Sequence, residues 1–186
     1  MAHDPYTLPP DLPVPVDDGG ADHLPGSAMP SLELESSQGP VDLGQRAEER
    51  LVLYVYPRTG TPGVEPPEGW DAFPGARGCT PQSCAFRDHE DELAELGTSV
   101  AGLSAQTLDD QLKFAERNHI HYPVFADPEL RLGRALRLPT FEFEGATLYT
   151  RITLVVEACA VAKVFYPVFP PDTNAGEVVA WLRGRA

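Results

Sequence analysis

Cysteine is scarce in this 186-residue chain, with three in all. That is too few for the disulfide framework of a small secreted domain. Cysteines used so sparingly in a reducing compartment are more often catalytic or metal-binding, so a cytoplasmic setting is expected. Basic residues are also few, 14 Lys and Arg against 28 Asp and Glu, for a formal charge of −14. Nonspecific nucleic-acid binding needs a basic surface and is excluded as an expectation. No apolar run is long enough to span a membrane. The first residues, Met1-Ala2-His3-Asp4-Pro5, lack a basic stretch followed by an apolar one, so no secretory signal is expected. The cysteines and histidines do not supply four ligands at zinc spacings. Neither a phosphate-loop glycine pattern nor a Gly-x-Ser-x-Gly elbow is present. No metal or organic cofactor is expected.

Proline and glycine are plentiful, at 20 and 16 residues. Proline falls at nearly every other position in Leu8-Pro9-Pro10-Asp11-Leu12-Pro13-Val14-Pro15, which forbids helix and interior strand. Residues 1–28 therefore read as an extended arm, draped or disordered, ahead of one domain over 29–186. That length suffices for a real core. Residues 57–78 form a second Pro/Gly-rich stretch without apolar period, and long loops of that kind are functional or disordered. Trp70 and Phe73 within it imply that it packs on something.

Between these stretches the periodicity alternates. Leu32-Glu33-Leu34 reads as a half-buried strand, with a turn at Gln38-Gly39 before Val41 and Leu43. Leu51 to Tyr56 is a mostly apolar strand of the kind buried on both faces. Pro81 to Leu96 reads as a surface helix stopped by Gly97, and Ser99 to Ser104 as a second buried strand. Thr107 caps a helix reaching His119, with Leu108, Leu112 and Ala115 on one face. A short strand at Val124-Phe125 and a short helix to Leu136 follow. Thr150–Val156 and Val161–Phe165 pair through a turn at Ala158-Cys159. A closing helix, Thr173–Arg183, turns Val178, Val179 and Leu182 inward. Strands alternating with helices imply an α/β fold, one central sheet flanked by helices.

The chemistry is concentrated in Gly78-Cys79-Thr80-Pro81-Gln82-Ser83-Cys84-Ala85-Phe86-Arg87-Asp88. Pro81 is tolerated only in the first turn of a helix, and Thr80 before it reads as the N-cap. Cys79 then sits at or just outside a helix N-terminus. Free N–H groups and the helix dipole there favour an anion, and with it the nucleophilic thiolate. Residues five apart on a regular helix have Cα atoms about 8–9 Å apart. A disulfide needs them within about 7 Å. If both cysteines lie on intact helix, they can join only after its first turns unwind.

This segment, with the preceding strand Leu51-Val52-Leu53-Tyr54-Val55-Tyr56-Pro57 and the later Arg151-Ile152-Thr153, resembles the active-site region of peroxiredoxins of the bacterioferritin-comigratory/PrxQ type. The similarity runs from about Pro25 to Leu182. It implies a thioredoxin-like fold with a mixed central sheet and an opening β-hairpin. It also implies a thiol-dependent peroxidase acting on hydrogen peroxide or organic hydroperoxides. On that resemblance Cys79 is the peroxidatic nucleophile and Cys84 the resolving thiol, joined transiently by an intramolecular disulfide that thioredoxin or a similar dithiol reduces. Arg151 is the cation placed beside the thiolate, and a monomer is implied. The family pattern Pro-x3-Thr-x2-Cys begins at Pro57 and Thr61, but Val64 stands where its cysteine belongs, and Ala76 lies three residues before Cys79. An insertion, Val64 to Gly78, is inferred to loop out and return, leaving Thr61 as the substrate-binding hydroxyl. If the loop displaces Thr61, then Thr80 or backbone N–H groups must take over. Cys159 matches no catalytic position.

Two other readings remain at this stage. The interrupted threonine motif and long loop suit a redox sensor or binding protein that forms the disulfide without turnover. A thioredoxin-type thiol–disulfide oxidoreductase is disfavoured by the lack of Cys-x2-Cys.

Overall fold

Strand β3 (Arg50–Val55) is the axis of the molecule, and its apolar run explains why. Side chains alternate along a strand, so an uninterrupted apolar sequence must be covered on both faces. Leu51, Leu53 and Val55 enter one core with Leu34, Leu43, Leu132 and Tyr149. Val52, Tyr54 and the following Tyr56 enter the other, against Phe86, Phe114 and Val178. Each such side chain, fully buried, contributes about 1.5–3 kcal/mol. The computed structural model describes residues 4–185.

Two more strands come first in the chain, β1 (Glu33–Ser36) and β2 (Val41–Asp42). Four follow in the same sheet: β4 (Thr98–Ser104), β5 (Val124–Ala126), β8 (Ile152–Glu157) and β9 (Ala160–Phe165). Their order is β2-β1-β5-β4-β3-β8-β9. β3 runs parallel to β4 (Leu51 opposite Ser99) and antiparallel to β8 (Val55 opposite Ile152). The intervening pair β6 (Thr140–Phe143) and β7 (Ala146–Tyr149) forms a separate ribbon.

Helices α1 (Leu43–Arg46) and α5 (Arg131–Leu136) cover one face. Helices α2 (Cys79–Asp88), α3 (Glu90–Glu95), α4 (Leu108–Arg117) and α6 (Asn174–Arg183) cover the other. The expected α/β class with one mixed sheet between helix layers is what the structure shows.

Two local expectations need correction. The helix expected from Pro81 to Leu96 is two helices, broken at His89. In α4, Thr107 caps as expected, its hydroxyl accepting from the Asp110 N–H at 3.2 Å while Asp110 accepts from the Thr107 N–H. The inward face, however, carries Gln111, Phe114 and Ala115, and Leu112 is 45% exposed. Gln111 faces in because the buried Tyr56 hydroxyl donates to its Oε1 at 2.8 Å. A hydrogen-bonded amide thus occupies a place that hydrophobicity alone assigns to leucine.

The N-terminal segment lies along the domain. Leu24 and Met29 are buried in the α1/α5 core. Gly26 and Met29 donate to the carbonyls of Val161 and Cys159, each at 2.8 Å. Further upstream, Asp4 to Pro15 runs over the 64–78 loop and the start of α2.

Candidate active site

Gly78 is the N-cap of α2, with φ +102°. A Cβ there would lie 2.3 Å from Pro171 Cγ and 2.9 Å from Leu8 Cδ2, so only glycine fits both the backbone and the space. This corrects the expectation that Thr80 caps the helix. Left-handed Gly78 starts the helix two residues sooner, making Cys79 its first residue and leaving Pro81 in the first turn, where it costs no hydrogen bond.

Cys79 is 3% exposed. Arg151, at the foot of β8 and 2% exposed, lies against it with Nη2 3.2 Å from Sγ. A buried guanidinium must find acceptors for its donors. Nη2 faces the carbonyls of Gly75, Ala76 and Arg77 at 3.3, 3.2 and 3.0 Å, and Nη1 donates to Gln82 Oε1. Gln82 Nε2 in turn donates to Asn174 Oδ1 at 3.0 Å, which also accepts from Thr153 Oγ1 at 2.7 Å. The cation is thereby fixed beside the sulfur, held by the 75–77 carbonyls and by Gln82 of α2, which Asn174 of α6 orients in turn.

Cys84 is one and a half turns further along α2, half-buried, with Sγ 3.9 Å from Asn118 Oδ1. Burial pushes its thiol pKa up, and Arg87 offsets this only in part. Both cysteines are free thiols on an unbroken helix, a geometry that separates their Cα atoms by about 8–9 Å.

Cys79 opens on a cleft of about 370 Å³. Thr61 is exposed on its wall, with Thr59, Arg58 and Trp70 nearby. Thr80 lines it too, and its Oγ1 is buried without a hydrogen-bond partner among the described residues. The 64–78 loop itself builds part of the cleft wall, through Val64 to Pro67, Trp70, Arg77 and Gly78. It is pinned to the β6–β7 ribbon by aromatic packing. Phe73 stacks on Phe141 with centroids 4.2 Å apart, and Trp70 meets Phe143 edge-on at 5.0 Å. The Arg58 guanidinium sits 4.7 Å above the Trp70 ring from the cleft side. Cys159 is elsewhere, at the β8–β9 turn with φ +61°, its Sγ 3.7 Å from the Gly44 carbonyl.

The structure thus brings Cys79 and Arg151 into contact, sets Thr61 on the same cleft, and holds Cys84 apart on the same helix. Sequence reasoning missed Gln82 and Asn174, which aim the arginine. Gln82 did leave a signal: it shares with Cys79, Ser83 and Phe86 the buried stripe of α2, where an amide needs a polar partner. It also missed Arg77, whose side chain is 9% exposed and pairs with Asp71 at 3.0 Å.

A sheet of this order, with a nucleophilic sulfur at the first turn of the helix after β3, is the thioredoxin-like scaffold of a thiol peroxidase. Residues 24–179 match the family model described as Redoxin, and the chain belongs to that family, as a peroxiredoxin of the PrxQ/bacterioferritin-comigratory type. It is 27% identical over 160 residues to Peroxiredoxin Q, chloroplastic, of Sedum lineare, covering 85% of this chain and 77% of the relative. Peroxiredoxin Bcp of Bacillus subtilis is 31% identical over 111 residues, 59% of this chain and 61% of the relative. Among solved structures, peroxidoxin BcpB from Mycobacterium tuberculosis superposes with a TM-score of 0.71 at 27% identity, covering 88% of this chain and 99% of that one.

Proposed function

We infer that this chain is a thiol-dependent peroxidase that reduces hydrogen peroxide or organic hydroperoxides through Cys79. The observation that carries the reading is the 3.2 Å approach of Arg151 Nη2 to Cys79 Sγ at a helix N-terminus opening on a cleft. The thiolate attacks the terminal peroxide oxygen, the O–O bond breaks, and the alkoxide or hydroxide leaves as the alcohol or water after taking a proton. Sulfur is oxidised to the sulfenic acid and the peroxide is reduced. Arg151 stabilises both the thiolate and the negative charge developing on the peroxide oxygens. Thr61, or Thr80 with its unpaired hydroxyl, orients the peroxide.

Cys84 then acts as the resolving thiol. Its sulfur displaces the hydroxyl of the sulfenic acid as water, closing a Cys79–Cys84 disulfide. A thioredoxin or similar dithiol reduces that bond, itself becoming a disulfide, in a reducing cytoplasm. The protein works as a monomer, without metal or organic cofactor.

The test is mass spectrometry after one equivalent of hydrogen peroxide, with turnover followed in the presence of thioredoxin. A bond between Cys79 and Cys84 is expected, as is loss of peroxide consumption in Cys79→Ser and retention in Cys159→Ser. Sulfenic acid on Cys79 without a Cys84 bond would overturn the two-cysteine cycle, and an inert Cys79 the peroxidase reading. A sensor role is favoured by one observation, the near-complete burial of Cys79. A disulfide formed without sustained turnover would establish it.

A further inference from the structure

We propose that residues 4–15 are a strap across the mouth of α2 that must lift before Cys79 and Cys84 can join, so that a rapid strap-opening equilibrium scales the rate of disulfide closure. The inference rests on the two-cysteine cycle above. The Arg77 side chain donates through Nη2 to the carbonyl oxygens of Asp4 at 3.1 Å and Thr7 at 3.5 Å. The Arg77 carbonyl accepts from the same Arg151 nitrogen that faces the Cys79 sulfur. Leu8 lies on Gly78 from one side and Pro171 from the other, close enough that a single added carbon would collide with both. Pro15 covers Gly75, and Leu12 and Pro13 share a crevice with Phe73 and Phe169. The strap is also ordered from within, since the Asp4 carboxylate accepts from the Tyr6 N–H at 3.0 Å and from Thr7 Oγ1 at 2.6 Å. Its prolines fix φ in the free chain, so docking it costs little conformational entropy.

The kinetic consequence follows from the helix. Joining the two sulfurs requires the first turn of α2 to unwind, because Cα atoms about 8–9 Å apart exceed disulfide reach. Unwinding moves Gly78 out of its slot between Leu8 and Pro171. Until that happens the sulfenic acid on Cys79 stays in the cleft, open to a second hydroperoxide. That second reaction transfers an oxygen to sulfur, breaks the O–O bond, releases another alcohol or water, and leaves the sulfinic acid. The strap therefore sets the competition between closure and overoxidation.

The experiment uses the full chain, wild type and Leu8→Asp. After one equivalent of hydrogen peroxide, closure is followed by quenched-flow alkylation and mass spectrometry, and sulfinic acid is measured at excess peroxide. In Leu8→Asp, closure is expected to accelerate about tenfold, equivalent to about 1.4 kcal/mol of lost docking. The sulfinic fraction should fall, with the first oxidation unchanged within about twofold. A second measurement needs no variant: in the wild-type disulfide form, amide hydrogen exchange over residues 6–12 should rise relative to the reduced form. Closure at an unchanged rate in Leu8→Asp, or an arm equally protected in both redox forms, would overturn the strap while leaving the peroxidase standing. Absence of any Cys79–Cys84 bond in wild type would remove the two-cysteine cycle and this inference with it.

Discussion

Arg151 Nη2 sits 3.2 Å from Cys79 Sγ while facing three consecutive loop carbonyls, so one nitrogen couples the reactive sulfur to the shape of the Gly75–Arg77 turn. The two residues are 72 positions apart in the chain and meet because β8 lies next to β3. Replacing Arg151 by Met should slow Cys79 oxidation by about 10²–10³-fold, the usual cost of losing one oriented donor to developing charge. Arg151→Lys should recover only part, since a single ammonium cannot serve both sulfur and carbonyls. Single-turnover peroxide consumption measures both.

Gly78→Ala is expected to be severe, because the residue is buried at the start of α2. The new Cβ meets Pro171 and Leu8 at impossible distances, and φ of +102° is disfavoured for any side chain. Backbone strain alone costs about 1–3 kcal/mol, and the displaced contacts add to it. Urea unfolding should show the loss, and Cys79 should alkylate faster as the helix start shifts.

Trp70→Ala tests what holds the insertion. Trp70 is 5% exposed between Phe143 and the Arg58 guanidinium, so its truncation should loosen the loop at a cost of about 3–5 kcal/mol. Limited proteolysis within 64–78 should increase. Hydrogen peroxide turnover should change less than turnover of a bulky organic hydroperoxide, whose body occupies the cleft wall that Trp70 forms.

Disulfide closure should carry a distinctive pH dependence. The Cys84 pKa is raised by burial, so the reacting thiolate is a minor species at neutral pH. A raised pKa means the thiolate fraction climbs with pH and reaches its plateau later than for an ordinary thiol, near pH 8.5. Closure should therefore accelerate tenfold per pH unit through neutrality and keep rising past about pH 8.5. Stopped-flow measurement of the closure step from pH 6 to 10 reads this directly. A plateau at or below the ordinary thiol value would contradict the role of burial.

The strands were legible because their signal is local. The apolar run Leu51–Tyr56 has to be buried on two faces wherever the chain places it, and the turn at Ala158-Cys159 separates two apolar runs. Thr107 and Asp110 form a capping box within four residues, so that helix start was readable too. Arg151 was different. Periodicity alone makes it a surface arginine, because nothing nearby in sequence reveals the carbonyls of residues 75–77 that accept from it. Only the family resemblance pointed to the site. Gln82, Gln111 and Asn174 escaped for the same reason: each buried amide has a partner distant in sequence, 55 residues away for Gln111 with Tyr56 and 92 for the Gln82–Asn174 pair. The Thr80 cap failed because Gly78 takes a left-handed conformation whose motive, the tight slot against Pro171, is tertiary.

The sulfur is held by α2 and by a guanidinium from β8 that is itself seated on the last carbonyls of the excursion, Gly75 to Arg77. Residues 64–74, with their aromatic anchors, can therefore lengthen, shorten or change without moving the reacting atom, whereas 75–78 are tied to it. Chemistry and admission are governed by different parts of one loop, and the second is free to diversify while the first stays put.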